Sequence, residues 1–233
     1  MAKIPLVLIP GLMCTRALFA QQIAGLADLA EISVADHSTA DSMAGIGKAI
    51  LAAAPEPFAL AGLSMGGAIA LEIMRQAPGR VWKLALLDTN AGLDSAAITA
   101  ARRGFIEMAR QGRFMAITLD HLLPRLIHPA RLADKALVET VLRMAEDTGA
   151  EVFIRQETAL IDRPDSLPSL GAIRCPSLVV VGAEDILTPP ERAKEIAGGI
   201  PGARLEIVPD CAHLSTLEQP AGVTRLLRDW LLW

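Results

Sequence analysis

The amino-acid sequence predicts an α/β fold, a doubly wound and mainly parallel sheet of about six strands with a helical insertion. Two observations carry this prediction. Short apolar runs alternate along the chain with longer stretches of helical periodicity, a pattern that requires crossover connections between parallel strands. Some of these runs, such as "LVLI" and "LVVV", are apolar without interruption, as in strands that are buried on both faces of a sheet.

The strand candidates are short apolar runs bounded by turn residues or by the start of a helical pattern. In chain order they are Ile4–Ile9, Glu31–Ala35, Phe58–Ala61, Trp82–Leu87, Ser177–Val181 and Arg204–Val208. The helices predicted after the first three strands are Phe19–Leu29, Ser42–Ala54 and Met65–Ala77. The C-terminal stretch "GVTRLLRDWLLW" has the pattern of an amphipathic helix that closes the fold.

The alternation of strands and helices stops between residues 93 and 165. Apolar residues recur there at helical spacing, first at Ile98, Ala101, Phe105 and Met108. We interpret residues 93–165 as a helical cap, or lid, over the carboxyl edge of the sheet, where open α/β sheets bind their ligands. The core of the fold is then formed by residues 1–92 and 166–233.

Composition and charge narrow the class of protein. The 233 residues are 52% hydrophobic and 21% charged, which is enough for one large α/β domain with an insertion. A net charge of −4 and the lack of any long Lys/Arg run argue against a nucleic-acid partner. No apolar stretch predicts a signal peptide or a membrane span, and three cysteines without CxxC spacing favour reduced thiols. We therefore expect a cytoplasmic protein with no membrane partner.

A serine between glycines marks the point where the third strand meets its helix. In "GLSMGG", Gly62-x-Ser64-x-Gly66 matches the nucleophile-elbow pattern, with the required strand before it and helix after it. Such a turn is so sharp that side chains two positions on either side would collide with the strand and the helix, and glycine removes them. The sequence therefore predicts that the turn presents Ser64 as a nucleophile.

A nucleophilic serine needs a base, and the base needs an acid to orient it. His213 follows the last strand, after the serine, which is the chain order expected for this architecture, whereas His37 precedes the serine. Asp185, just past the fifth strand, is the predicted acid. Asp88, at the end of the fourth strand, is its rival, and the other interpretation of Asp88 is a carboxylate that caps nearby backbone N–H groups.

Two backbone N–H groups are candidates for an oxyanion hole. The N–H of Met65 opens the helix after the serine, where the helix dipole favours negative charge. The second donor is expected in the loop after the first strand, where Gly11 lets the backbone pass close to a substrate and Leu12 supplies the N–H.

With these motifs in place, the chain resembles members of the α/β-hydrolase superfamily from "PLVLIPG" through "GLSMGG" and "VVVGAEDILTPP" to "DCAHLSTLEQP". It is most similar to small bacterial carboxylesterases and enol-lactonase-like enzymes. The resemblance implies the triad Ser64, His213 and Asp185, an oxyanion hole from Leu12 and Met65, and a lid over the site. It also implies acyl transfer through an acyl-enzyme on an ester or lactone, with no metal and no cofactor. Relatives often carry His-Gly after the first strand, and this chain departs from them with Pro10-Gly11.

The substrate pocket is predicted only in outline. Its expected lining is apolar, from Met13 and from the insertion residues Leu119, Leu122 and Leu123, in addition to the oxyanion residues. Two other functions stay open from the sequence. One is a ligand receptor or signalling module that keeps the triad but turns over slowly or not at all, and the other is an acyltransferase or perhydrolase. The oligomeric state is not readable from the sequence.

Overall fold

A six-stranded sheet, parallel throughout, forms the centre of the protein, whose computed structural model describes residues 3–233. The strands are β1 (Ile4–Ile9), β2 (Ala30–Val34), β3 (Phe58–Leu63), β4 (Val81–Leu87), β5 (Ser177–Gly182) and β6 (Arg204–Val208). Their order in the sheet is β2-β1-β3-β4-β5-β6. The predicted fold class is thus confirmed, and each predicted strand is present with ends that move by two residues or fewer.

The chain changes direction across the sheet between β1 and β3. It runs outward from β1 to β2 and then returns to the other side of β1 to form β3. In open α/β sheets a ligand-binding crevice lies at such a reversal, outside the carboxyl ends of the strands. Because Ile9 pairs with Gly62 in the ladder, the loop after β1 begins beside the turn after β3.

Ten α-helices connect or follow the strands among the described residues. They are α1 (Ala20–Gly25), α2 (Met43–Ala53), α3 (Met65–Gln76), α4 (Ala96–Arg110), α5 (Phe114–Ala116), α6 (Leu123–Leu126), α7 (Lys135–Ile161), α8 (Pro190–Gly199), α9 (Ser215–Glu218) and α10 (Pro220–Leu232). Short 3-10 segments lie at Arg16–Phe19, Pro78–Arg80, Pro129–Arg131 and Leu167–Ala172, and Ile117–Leu122 is a π-helix. None of these helices is both long and apolar enough to cross a lipid bilayer.

Alternating residues of β1, β3, β4 and β5 belong to two hydrophobic clusters, one on each face of the sheet. Leu6 and Leu8 of β1 point into the cluster that includes residues of α10, and Val7 and Ile9 point into the cluster that includes residues of α2, α3 and α8. The central strand β5, "SLVVVG", is buried over its whole length because a hydrophobic cluster covers each of its faces.

Residues 93–165 form helices and no strand, as the periodicity predicts. The long helix α7 begins after Asp134, whose carboxylate accepts the N–H of Leu137, and it is interrupted at Gly149, where φ is 75°. Leu137 packs into the α10-side cluster, and Leu160 packs into the cluster on the opposite face. The helical segment is therefore anchored to both faces of the core, and its function as a lid stays a prediction.

Candidate active site

Ser64 lies at the sharp turn between β3 and α3. Its backbone has φ 56° and ψ −116°, a region that L-residues rarely adopt. A Cβ on Gly62 would lie 2.2 Å from the carbonyl oxygen of Gly66, and a Cβ on Gly66 would lie 2.0 Å from that of Ile9. Both glycines are thus required by contact with backbone, which cannot move aside, and the turn holds the Ser64 side chain at the carboxyl edge of the sheet.

Thr89, which the sequence analysis did not single out, reinforces this turn from β4. Its hydroxyl donates to the carbonyl oxygen of Ser64 at 2.7 Å. A Cβ on Gly67 would meet the Thr89 side chain at 2.5 Å, so the first turn of α3 packs directly against it. The sequence feature that could have pointed to Thr89 is its position, two residues after the end of β4.

The structure brings Ser64, His213 and Asp185 into one hydrogen-bonded chain. His213 Nε2 lies 2.8 Å from Ser64 Oγ, and His213 Nδ1 lies 2.8 Å from Asp185 Oδ2. The histidine and the aspartate are both buried. A Cβ on Gly182 would lie 2.0 Å from the carbonyl oxygen of Ala212, so a glycine at the end of β5 lets the loop that carries His213 approach Asp185.

The Asp185 carboxylate is held by the turn that follows it. Its Oδ1 accepts the N–H groups of Leu187 and Thr188 at 2.8 and 3.0 Å, and its Oδ2 also accepts the Thr188 hydroxyl at 2.7 Å. Burial raises the pKa of Asp185, but His213 and these donors outweigh burial and hold the pKa below its usual range. Asp185 is therefore ionised at neutral pH, and its Oδ2 faces both the Thr188 hydroxyl and the imidazole.

The electrostatics of His213 follow from the same contact. Burial lowers the pKa of the His213 imidazole, but the negative charge of Asp185 and its hydrogen bond outweigh burial and raise the pKa above the usual histidine value. An ionised Asp185 accepts a hydrogen bond from the N–H of Nδ1, which keeps the proton on Nδ1 and leaves the lone pair of Nε2 directed at the Ser64 hydroxyl. The arrangement is that of a base aimed at an alcohol.

Asp88, the rival acid, is buried nearby but contacts other groups. Its carboxyl accepts the N–H of Gly182 at 2.9 Å and is hydrogen-bonded to the Ser215 hydroxyl. Burial, reinforced by the charge of Asp185, raises the pKa of Asp88 well above its usual range. Among residues 3–233 the Asp88 carboxyl makes no hydrogen bond to His213. Its contacts match the capping interpretation, since it joins the end of β5 to the start of α9.

The two predicted oxyanion donors lie next to Ser64. The N–H groups of Leu12 and Met65 have no acceptor among residues 3–233. Both residues and Gly11 line the cavity that contains the serine. A Cβ on Gly11 would lie 3.4 Å from the Ser64 Cβ, a tolerable contact, so this glycine is less strictly required than Gly62 and Gly66.

A cavity of about 460 Å³ opens over Ser64 and His213. It is lined by the predicted Met13 and Leu122, but the predictions for Leu119 and Leu123 were wrong. Leu119 is 46% exposed, and Leu123 is buried in the α10-side cluster. In a regular α-helix the three leucines would share one face, but Leu119 and Leu122 lie in the π-helix, whose i→i+5 hydrogen bonds change the phase of the side chains.

Charged side chains also line this cavity, contrary to the expected apolar lining. Arg102 contacts Asp94 and Glu157 at 2.6 Å each, and Arg163 contacts Asp94 at 2.7 Å. These charges compensate one another and tie α4 to α7 and to the segment after it. Arg125 lines the same cavity, is exposed, and has no ion-pair partner among residues 3–233.

The described residues offer no separate metal centre. Within residues 3–233, the His, Cys, Asp and Glu side chains form no group of three or more that could hold a metal ion. The three cysteines are free thiols, and burial raises the pKa of the Cys14 thiol, beside the candidate oxyanion loop, to about 12.

Comparison with known proteins identifies the family of this chain. The model of the family described as "Alpha/beta hydrolase family" matches residues 6–226. The chain is 28% identical over 203 residues to the pimeloyl-[acyl-carrier protein] methyl ester esterase of Aromatoleum aromaticum. That alignment covers 78% of this chain and 76% of the esterase. It is also 28% identical over 178 residues to the 2-hydroxy-6-oxononadienedioate/2-hydroxy-6-oxononatrienedioate hydrolase of Paraburkholderia phymatum. That alignment covers 74% of this chain and 61% of the hydrolase.

The match thus spans less than two thirds of the Paraburkholderia protein. Among solved structures, the chain is similar to a thermophilic esterase from Thermogutta terrifontis, with 27% sequence identity and a TM-score of 0.90. That similarity covers 99% of this chain and 90% of the esterase chain.

Proposed function

This chain belongs to the alpha/beta hydrolase family, and on that premise we propose that it is a serine hydrolase that cleaves a carboxylic ester or lactone. The observation that carries the proposal is the His213 imidazole, held 2.8 Å from Ser64 Oγ on one side and 2.8 Å from Asp185 on the other. Nucleophile, base and orienting acid in this contact order are what acyl transfer to serine requires.

In the proposed reaction, Ser64 Oγ attacks the ester carbonyl carbon while His213 Nε2 takes the hydroxyl proton. The carbonyl oxygen becomes an oxyanion that accepts the N–H groups of Leu12 and Met65. His213 then gives its proton to the leaving alcohol, and an acyl-enzyme remains. Water, deprotonated by His213, attacks the acyl carbon, and the acid leaves as the proton returns to Ser64.

Residues 93–165 are proposed to act as the lid of this site. Leu93, Ile98 and Phe105 from this segment line the cavity above the serine, and Leu93 and Ile98 are about half exposed. An apolar cover of this kind excludes water and favours the apolar part of a substrate.

Arg125 extends the proposal to the charge of the substrate. Because Arg125 lines the cavity without a carboxylate partner, an ester that carries its own carboxylate gains an ion pair there. The Paraburkholderia relative is named for dioate substrates, which fits this charge. We expect Arg125→Gln to raise KM for mono-p-nitrophenyl succinate about two- to fivefold, the effect of one exposed ion pair, with little change for p-nitrophenyl butyrate.

Arg103→Gln is the matched control for charge, because Arg103 is exposed but does not line the cavity. Arg125→Lys should retain most of the preference for the anionic ester. Equal effects of Arg125→Gln and Arg103→Gln on the succinate ester would contradict this specificity.

A turnover measurement distinguishes the proposed hydrolase from a receptor that turns over slowly or not at all. The wild-type protein is expected to cleave short p-nitrophenyl esters or simple lactones through many cycles, because water can reach the acyl-enzyme once the alcohol leaves. The measurement is product released per mole of protein, with and without added alcohol or peroxide acceptors. A burst of one equivalent or less would favour the receptor, and transfer to the acceptor in preference to water would favour the acyltransferase or perhydrolase.

A further inference from the structure

The loop that carries Leu12 is strained and is held by two side chains from distant parts of the chain. Met13, the residue after Leu12, has φ 55°, a left-handed conformation that is unfavourable for any residue other than glycine and persists only when its surroundings impose it. His37 Nε2 lies 3.0 Å from the carbonyl oxygen of Gly11, and the N–H of Met13 donates to Gln156 Oε1 at 3.0 Å. His37 and Gln156 are 6% and 0% exposed, so neither bond competes with bulk solvent.

These two bonds hold the two peptide groups on either side of the Leu12 Cα. The carbonyl of Gly11 and the N–H of Leu12 belong to one planar trans peptide, so they point in opposite directions. A carbonyl turned toward His37 therefore turns the Leu12 N–H away from His37. In the same way, the bond from the Met13 N–H to Gln156 fixes the orientation of the Leu12 carbonyl. A flip of the Gly11–Leu12 peptide would break the bond to His37 and also the bond by which the Cys14 N–H donates to the same carbonyl at 3.1 Å. A flip of the Leu12–Met13 peptide would break the bond to Gln156.

The hydrogen-bonding groups of His37 and Gln156 suit the fixing of these two peptides. The Gly11 carbonyl only accepts, so His37 must carry its proton on Nε2, and burial, which lowers the pKa of His37, keeps the ring neutral with a single proton. The Gln156 amide presents its oxygen to the Met13 N–H. The Met13 side chain packs with Phe114, Ile117 and Phe153 of the helical segment.

We propose that His37 and Gln156 are positioning residues that hold both peptides of Leu12 and thereby aim its N–H at the oxyanion; this inference rests on the proposed function. His37 comes from the loop after β2 and Gln156 from the second part of α7. The helical segment, in addition to its proposed function as a lid, therefore supplies one of the two positioning residues. This chain has Pro10 before the loop glycine, and a histidine from another strand end contacts the carbonyl of that glycine.

The test compares variants that remove one hydrogen-bonding atom with variants that keep it. His37→Phe keeps a ring but loses the donor, His37→Gln keeps an N–H donor, and Gln156→Met keeps length but loses the strong acceptor. Lys83→Met is the matched control, because Lys83 is buried and bonds the carbonyls of Trp230 and Trp233 near the amino end of β4, away from the site. Each variant is assayed for kcat, KM, Tm and the affinity for an alkyl boronic acid.

An alkyl boronic acid adds to the serine and places an oxygen where the oxyanion forms, so its affinity reports on the N–H groups. We expect His37→Phe and Gln156→Met to lower kcat about 10- to 100-fold, short of the ~10²–10³ that follows loss of a donor itself, with KM within about threefold. Boronate affinity should fall in parallel. The kcat of His37→Gln should stay within about fivefold of the wild-type value. Lys83→Met should have a lower Tm, but its folded fraction should keep the wild-type kcat.

Full kcat and boronate affinity in folded His37→Phe and Gln156→Met would overturn the inference, and so would a loss of kcat with unchanged boronate affinity. If the wild type itself cleaves no ester, the proposed function fails. Amide hydrogen exchange of residues 11–14 then still tests the positioning, because the Met13 N–H should exchange faster in Gln156→Met than in wild type, and equal rates would contradict it.

Discussion

Ser64→Ala is expected to lower ester hydrolysis by about 10⁴-fold or more while the protein stays folded. The substitution removes the only atom that attacks the carbonyl in the proposed reaction, and it leaves His213 and Asp185 able to do no more than activate water. Alanine adopts the backbone of Ser64 no worse than serine does, so the strained turn should survive. The measurements are kcat/KM on a p-nitrophenyl ester and the circular dichroism spectrum.

Labelling by a fluorophosphonate should also disappear in Ser64→Ala. Ser42→Ala is the control: Ser42 caps α2 through the N–H of Gly45, so its loss should cost about 1 kcal/mol of stability and leave activity and labelling intact. Hydrolysis at the wild-type rate by Ser64→Ala would contradict the proposed function.

Asp185→Asn is expected to reduce kcat by about 10⁴-fold, a second large effect of a change of one atom. The carboxylate accepts a hydrogen bond from the N–H of His213 Nδ1, whereas an asparagine can turn its NH₂ toward Nδ1 and stabilise the tautomer with the proton on Nε2. That tautomer has no lone pair for the Ser64 proton. The measurement is kcat on the same ester, followed over a range of pH.

The pH profile separates this role from simple destabilisation. Activity requires neutral His213, so it should rise with pH through a midpoint above the usual histidine value, because Asp185 raises the pKa of the imidazole. In Asp185→Asn the charge is gone, and the midpoint of the residual activity should move to lower pH. A midpoint unchanged by the substitution would contradict the assignment of Asp185.

Asp88→Asn is the matched comparison, because both aspartates are buried at neighbouring strand ends. The raised pKa of Asp88 favours its neutral form, which an asparagine resembles, and its partners Gly182 and Ser215 remain available. We expect kcat within about tenfold of wild type, since Asp88 makes no bond to the imidazole. A larger loss in Asp88→Asn than in Asp185→Asn would reverse the assignment.

The strands of this protein could be predicted well because their signal is local. A continuously apolar run such as β5 has one interpretation when turn residues bound it. The true ends differ from prediction mostly where backbone pairing extends the ladder, as at Leu63, while β2 ends at Val34, one residue before the predicted end. The helix predicted over Phe19–Leu29 is less accurate, since a 3-10 turn begins before it at Arg16 and α1 already ends at Gly25. Periodicity indicates a buried face but not the type of turn.

The motif and its order could be read from the residues alone: Ser64 between glycines, Asp185 and His213 after later strands, and the apolar alternation that places them at one sheet edge. Three features required the folded chain: which carboxylate meets the imidazole, how charge is arranged in the cavity, and that His37 and Gln156 contact the Leu12 loop. The difference follows from distance along the chain. Glycine and strand patterns act within a few residues, whereas Gln156 and Met13 are 143 residues apart and meet only through packing.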